Sequence, residues 1–235
     1  MRCLIFLSLL IRILKPLIFR KFILAIIFVF LSISSFAHPH DSLENQSPVR
    51  KGRWIAIIGG VINSGTVVKP DSSISNKKFS NNYAFNISGY KFIKNRLGIG
   101  VVFDIARSSN EELFLNESEV FNLGPSVRYY LANLDQGGAF VQSAVIYSRF
   151  YDRIALLDIS NPVDKVLKGR GPGIAFGLGY SYVFKDIVSL EIGFRLTYSW
   201  LTGETVDQIA NTNVDTDFRR FSFSFSFGLG ILIGK

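Results

Sequence analysis

Cysteine and histidine are nearly absent from the sequence. The single cysteine is Cys3 and the two histidines are His38 and His40, so no residue after position 40 carries a thiol or an imidazole. That part of the chain therefore contains no disulfide, no cysteine nucleophile and no serine–histidine or aspartate–histidine catalytic machinery. Carboxylate-pair chemistry remains open, but no motif supports it. We expect a protein that is not an enzyme and that binds no cofactor.

Long apolar runs are missing after the first 37 residues, since none there reaches the roughly 20 residues of a transmembrane helix. Residues 1–37 themselves predict a cleavable Sec-type signal peptide. Residues 1–21 carry five cationic side chains and no acid, an apolar run follows from Phe22 to Phe36, and small residues at Ser35 and Ala37 fit cleavage after Ala37. An uncleaved signal anchor is the alternative. Cleavage would leave 21 basic and 18 acidic residues, a net charge of +3 rather than +8, which removes the main argument for nucleic-acid binding.

Residues 38–51 are polar and unpatterned, and they predict a flexible periplasmic N-terminal tail. His38 and His40 would stand at its start, where a transition metal could bind. Pro39 between them has no backbone N–H to serve as a ligand, so we expect a solvated tail and no metal site. The remaining domain, 52–235, is predicted to be an outer-membrane β-barrel.

Alternation with a period of two dominates that domain. From Val188 to Trp200 every second residue is large and apolar, and from Phe221 to Phe227 phenylalanine alternates with serine. Such a period places the two sets on opposite faces of a strand. The intervening residues are small as well as polar, which suits the crowded inside of a narrow barrel whose bulky face meets lipid. The predicted lipid-facing residues include Phe194, Leu196, Phe221, Phe223, Phe225 and Phe227.

Eight strands are predicted, and short and long connections alternate between them, as in up-and-down outer-membrane barrels with tight periplasmic turns and long outer loops. The long connections lie near 64–81, 107–118, 150–171 and 201–217. Ten strands, with an extra hairpin within 150–171, are the alternative count. The faces of the first and fifth strands cannot be assigned from the pattern. The strands lie near 52–63, 82–92, 97–106, 119–131, 139–149, 172–184, 188–200 and 218–233.

The chain resembles the small eight-stranded outer-membrane barrels of the OmpA/OmpX-like family. The resemblance covers 52–235 and rests on Asn122-Leu123-Gly124-Pro125-Ser126-Val127-Arg128-Tyr129-Tyr130, on Gly177-Leu178-Gly179-Tyr180 and on the alternating last strand. It implies insertion by the barrel assembly machinery and residence among outer-membrane lipids of a Gram-negative-type cell. Family members usually end on an aromatic residue, whereas this chain ends Ile233-Gly234-Lys235. The assembly signal would then fall on Phe225 and Phe227, or the lineage uses another one.

Charged residues on the inward face have to find partners, because an eight-stranded barrel is just wide enough for side chains to fill it and unpaired buried charge is costly. We therefore expect a structural network of internal salt bridges that plugs the lumen, rather than a catalytic or ion-conducting site. The members of this predicted lumenal charge network are Asp104, Arg128, Glu191, Arg195 and Arg220.

The third long loop, between about Phe150 and Gly171, mixes apolar and charged residues. Its partial alternation predicts that the hairpin continues above the membrane and exposes a strand edge to a protein partner. The alternative is that its apolar residues pack on the barrel rim. The predicted interaction loop contains Asp152, Ile154, Leu156 and Asp158.

These patterns predict an all-β protein: a single antiparallel transmembrane barrel with a structural or surface-interaction role through long extracellular loops. The alternatives are a small pore or transport conduit, and a secretion or assembly accessory. A soluble lipocalin-type barrel is the rival fold, but four phenylalanines from one strand would overfill its cavity.

Overall fold

A computed structural model of the chain describes residues 47–68, 77–80, 83–110, 115–131, 137–156 and 163–234. The predicted signal peptide and most of the predicted tail lie outside these residues. Within the described ranges the chain folds into β-strands joined by turns. The strands are β1 (Trp54–Val68), β2 (Lys77–Ser80), β3 (Tyr83–Lys94), β4 (Leu97–Asn110), β5 (Leu115–Tyr130), β6 (Gly137–Leu156), β7 (Val163–Phe184), β8 (Val188–Asp207) and β9 (Thr212–Ile233).

The sheet closes on itself through its first and last strands. β1 pairs with β9 along its whole length, from Trp54↔Ile233 to Val68↔Arg219. β2 and β3 therefore share the opposite edge of β1 and together form one strand of the barrel. Every other strand pairs antiparallel with its sequence neighbour. The fold is an up-and-down barrel of eight antiparallel strands, as predicted.

The strands continue further than the sequence pattern indicates. β6 and β7 stay paired up to Leu156↔Val163, and β8 and β9 up to Asp207↔Thr212. The loops expected at 150–171 and 201–217 are therefore largely paired hairpins. The ten-strand alternative is wrong, because the described residues of 150–171 lengthen two existing strands. We call this end of the barrel the hairpin end, and the end with residues 52–53, 95–96, 185–187 and 234 the turn end.

The outer surface of the barrel is apolar. On β8 the side chains alternate between exposed and buried positions from Val188 to Trp200, with the large apolar ones outside. That stretch is about 40 Å long. At the usual tilt of about 40° it covers about 30 Å, the thickness of a hydrocarbon core. Phe225 is only half-exposed because its ring lies 5.0 Å from that of Phe194. The other residues predicted to face lipid are exposed on this outer surface: Phe194, Leu196, Phe221, Phe223 and Phe227.

The inside of the barrel is less uniformly small and polar than the final strands indicate. An apolar cluster near the turn end contains Tyr90, Phe92, Tyr130 and Phe140. A second cluster near the hairpin end packs Phe150 against Phe218, with ring centroids 5.8 Å apart. Glycines on adjacent strands make room for these rings, since a Cβ on Gly169 would lie 2.5 Å from the Phe218 ring. Small residues thus complement large ones across the lumen.

Residues 47–51, the end of the predicted flexible tail, pack against the turn end. Val49 is fully buried in the apolar cluster, and its carbonyl accepts a hydrogen bond from the Arg96 amide at 2.9 Å. Arg53 donates to the Asp186 carboxylate at 2.5 Å and to the Gly234 carbonyl at 3.1 Å. This part of the expected tail differs from the prediction because one apolar side chain, Val49, is enough to anchor it inside the barrel.

Candidate functional site

Arg128 and Glu191 form one ion pair inside the barrel. Arg128 points inward from β5 and Glu191 from β8, and Arg128 Nη1 lies 2.8 Å from both carboxylate oxygens. Arg128 Nη2 also donates to Gln142 Oε1 at 3.1 Å. The guanidinium stacks between two rings, 4.4 Å from the Tyr90 centroid and 4.1 Å from the Phe140 centroid. A guanidinium that contacts two aromatic faces and a carboxylate is stabilised by these groups in place of water.

The burial of this pair makes each partner dependent on the other. The Arg128 and Glu191 side chains are 4% and 7% exposed. Ions removed from water to this degree are costly unless geometry and hydrogen bonding are both good. Here the carboxylate accepts two short charge-assisted bonds, so it is tied up as an acceptor rather than free as a base.

Arg195 and Asp104 form the second ion pair, nearer the hairpin end. Arg195 Nη2 on β8 lies 2.6 Å from Asp104 Oδ1 on β4. The side-chain amide of Asn86, on the adjacent β3, also donates to that oxygen. Asn86 was not predicted from the sequence. Its inward position next to Asp104 was the available signal, but one asparagine in an alternating strand is too common to single out.

Arg220 is the fifth member of the predicted network and also lies inside, where it is 1% exposed. It is opposite Ser199 on β8, closer to the hairpin end than Ser224, which is opposite Arg195. The hydroxyl of Ser199 lies 2.8 Å from that of Ser148, which donates to Asn122 Oδ1 at 2.8 Å. Hydroxyl and amide groups therefore extend the polar layer beyond the second ion pair.

Little space is left between these groups. A cavity of about 30 Å³ is bordered by Arg128, Gln142, Glu191 and Arg195. Another, of about 10 Å³, lies beside Asp104 and Asn122. Each has room for no more than a water molecule or two. Among the described residues, no group of three or more histidine, cysteine, aspartate or glutamate side chains could hold a metal ion.

The predicted interaction loop is only partly described. Asp152 points inward and is 4% exposed, and Ile154 is half-buried. Leu156 ends β6, and Asp158 lies outside the described residues. The expected free strand edge is not found here, because β5 covers β6 up to Leu115↔Ala155 and β8 covers β7 up to Lys165↔Asp207.

Arg153 and Asp164 bridge the two strands of this hairpin beyond the apolar belt. Arg153 Nε and Nη2 donate to the two Asp164 oxygens at 3.0 and 2.8 Å. These hydrogen bonds hold the pKa of the Asp164 carboxyl below its usual range and raise the pKa of Arg153. The contact links the two strands of the projecting hairpin through their side chains.

Solved structures of three outer-membrane proteins share this fold. OprG from Pseudomonas aeruginosa has a TM-score of 0.53 and 10% identity, covering 81% of this chain and 99% of that one. Ail, the attachment invasion locus protein of Yersinia pestis, has a TM-score of 0.51 and 12% identity, covering 78% and 99%. A major outer membrane protein from Thermus thermophilus has a TM-score of 0.50 and 10% identity, covering 75% and 99%. The sequence matches no protein-family model and no curated protein.

The chain has the fold of the small eight-stranded outer-membrane β-barrels. Closed antiparallel barrels with an apolar exterior are the transmembrane architecture of Gram-negative outer membranes, and the apolar belt of this barrel places it there. Among the described residues, no helix is long and apolar enough to span a membrane.

Proposed function

We propose that the protein is a non-enzymatic barrel of the outer membrane with a structural or surface-interaction role and a closed lumen. The observation that carries this proposal is the filled interior. Two ion pairs lie between two apolar clusters, and the cavities beside the pairs measure about 30 and 10 Å³. A hydrated ion needs a continuous wet path, which such an interior does not offer.

The absence of enzymatic activity is part of the proposal. The barrel sequence has no histidine or cysteine. The inward carboxylates of Asp104 and Glu191 each accept a hydrogen bond from an arginine. A general base has to be free to take a proton from substrate, and these groups are instead committed to fixed cations.

We place the interaction surface on the projecting hairpins, including the predicted loop of Asp152, Ile154, Leu156 and Asp158. In the β8–β9 hairpin, Ile209 and Val214 are 52% and 60% exposed near the tip. Val214 is paired with Thr205 in the ladder, and the Ile209 amide in the turn donates to the Asp207 carboxylate at 3.1 Å. Exposed apolar side chains on a rigid support suit a protein partner. Ail, one of the solved barrels with this fold, is named the attachment invasion locus protein.

The topology of the proposal follows the usual sidedness of such barrels, with termini and short turns in the periplasm and long hairpins outside. Residues 1–37 would be removed as a Sec-type signal peptide, 38–51 would lead in from the periplasm, and 52–235 would be inserted by the barrel assembly machinery. A cysteine introduced at Ile209 should then react with a membrane-impermeant maleimide in intact cells. Labelling only after lysis would indicate the opposite orientation, with the hairpins in the periplasm.

Planar-bilayer recording tests the closed lumen against the alternative of a small pore or conduit. The purified barrel should insert without stepwise conductance. A 16-stranded porin, whose wider barrel leaves an aqueous channel, is the positive control for insertion and recording. Stable openings by the unaltered protein would contradict the closed lumen and favour transport.

A further inference from the structure

Three cations stand together on the outer surface, immediately beyond the apolar belt at the hairpin end. We define them as the rim cluster: Arg149 on β6, and Lys168 and Arg170 on β7. All three side chains are exposed. Arg149 is directly opposite Arg170 in the ladder, and Tyr151 is directly opposite Lys168. The cluster therefore occupies adjacent positions on two neighbouring strands.

Direct opposition of like charges destabilises an antiparallel pair of strands. Within the part of the chain that the structure describes, none of the three cations forms an ion pair with a carboxylate. Glu204 is opposite Lys168 on β8, but it accepts a hydrogen bond from Asn213 at 2.7 Å. A neutral amide donor does not remove the charge of Glu204, and Glu119, opposite Tyr151 on β5, borders Arg149. The three cations outnumber these two neighbouring carboxylates, which leaves positive charge available to an anion from outside the chain.

A groove of about 730 Å³ runs over the rim cluster. Tyr147, Tyr151 and Thr202 contribute to its walls, and Glu204 and Asp215 lie at its far side. The acids confine the positive potential to the part of the groove over β6 and β7. Tyrosine hydroxyls beside guanidinium groups add hydrogen-bond donors for a phosphate or similar oxyanion.

The groove opens onto the belt that meets lipid. Tyr147 and Ile174, which follow the two arginines toward the membrane centre, are 48% and 51% exposed. From Arg170 to Ile174 the strand extends about 13 Å, with exposed Pro172 between them on the same face. A ligand that contacts both the cationic groove and the apolar belt has to be amphipathic, with an anionic head and apolar chains.

We propose that the rim cluster binds the phosphate headgroup of a lipid in the leaflet at the hairpin end. The paired guanidinium groups of Arg149 and Arg170 offer forked donors to the phosphate oxygens, Lys168 adds a third positive charge, and the acyl chains lie along Tyr147 and Ile174. The bound phosphate offsets the repulsion between Arg149 and Arg170, which lie opposite each other in the ladder.

Native mass spectrometry of the purified full-length barrel in a neutral detergent tests the proposal. The probes are dioleoyl phosphatidic acid, dioleoylglycerol, which has the same chains without the phosphate, and inorganic phosphate. We expect retention of phosphatidic acid. The double variant Arg149→Gln/Arg170→Gln should weaken this binding by about tenfold or more, as expected for lost charge-assisted hydrogen bonds.

The matched control is Arg107→Gln/Arg219→Gln, which removes the same charge from the same rim. Arg107 is opposite Glu119 and Arg219 is opposite Trp200, so neither faces another cation. This control should retain the lipid. Equal loss in both double variants would reduce the effect to general rim charge and overturn the proposal. Equal retention of dioleoylglycerol would overturn it in favour of acyl contact alone, and inorganic phosphate binding as tightly as the lipid would overturn the lipid assignment.

A second variant, Arg170→Glu, guards against loss of folding. It replaces the like-charge pair by an opposite-charge pair across the same ladder position. The variant should resist urea at least as well as the unaltered protein in lipid-free detergent, while losing phosphatidic acid. Retention of the lipid by this folded variant would contradict the site.

Discussion

Arg128 Nη1 lies 2.8 Å from both carboxylate oxygens of Glu191. The two residues are 63 positions apart in the chain and face each other across the lumen. The pair joins β5 to β8, two strands that are not neighbours in the sheet. It therefore holds opposite walls of the barrel together, and it fixes where the rings of Tyr90 and Phe140 stack on the guanidinium.

Removing one member of this pair should cost far more than removing both. Arg128→Ala leaves Glu191 buried and uncompensated, and should lower the free energy of unfolding by about 3–5 kcal/mol. The double variant Arg128→Met/Glu191→Leu removes both charges and keeps the volume, so it should be closer to the unaltered protein. Urea unfolding in lipid vesicles measures both. A double variant as unstable as the single one would show that packing, not unpaired charge, sets the cost.

The second ion pair allows the same comparison with a neutral third partner. Arg195→Ala should destabilise the barrel by about 3–5 kcal/mol by removing the cation that is hydrogen-bonded to the buried Asp104 carboxylate. Asn86→Ala removes one neutral donor to the same carboxylate and should cost about 1–3 kcal/mol. The heat-dependent gel shift of the folded barrel and its urea midpoint would measure the order of the two effects. A midpoint unchanged by Arg195→Ala would contradict the pairing.

Lipid exposure predicts a strong position dependence along β9. Phe225 is on the outward face opposite Phe194 and Ile62, well within the belt, so Phe225→Arg should cost about 2–4 kcal/mol. Asp217→Arg is on the same face of the same strand, but beyond the belt at the hairpin end, and should be nearly neutral. Stability in bilayers of defined thickness would separate them. Equal effects would place the membrane elsewhere on the barrel.

The Arg153–Asp164 contact predicts a pH dependence confined to the β6–β7 hairpin. Arg153 depresses the folded-state pKa of Asp164 by hydrogen bonding to the carboxylate. The stabilising contribution is therefore complete above the unfolded pKa of about 4. It is lost as the pH falls through the lower folded value.

An NMR titration of the Asp164 carboxyl in detergent measures this shift. The midpoint should lie below that of an exposed aspartate, and Arg153→Gln should return it to the ordinary range. Lys165→Gln is the matched control, since Lys165 Nζ pairs with Asp207 at 3.8 Å instead. A midpoint insensitive to Arg153→Gln would exclude the hydrogen bonds as its cause.

The order of the amino acids was enough to establish the class of protein. Alternation from Val188 to Trp200 and from Phe221 to Phe227 assigns a face to each residue, because successive side chains of a strand point in opposite directions. Bulky apolar residues on one face and small ones on the other leave only a narrow barrel in lipid. The scarcity of histidine and cysteine similarly limits the chemistry that the chain can perform. The class of the protein, and the faces of the strands that alternate clearly, are therefore local properties of the chain.

Which groups meet inside the barrel depends on its three-dimensional closure. Alternation with a period of two shows which side chains point inward, but not how far along the barrel axis each one lies. Which side chains meet across the lumen depends on strand tilt and on how the sheet closes. The pairing of Arg128 with Glu191 rather than another charge follows from that closure. The faces of β1 and β6, which are the first and fifth predicted strands, cannot be assigned from the pattern. Their inward residues Ile57 and Phe140 are as apolar as the outward residues beside them. The burial of Val49 likewise depends on a turn end that forms only when β1 has met β9.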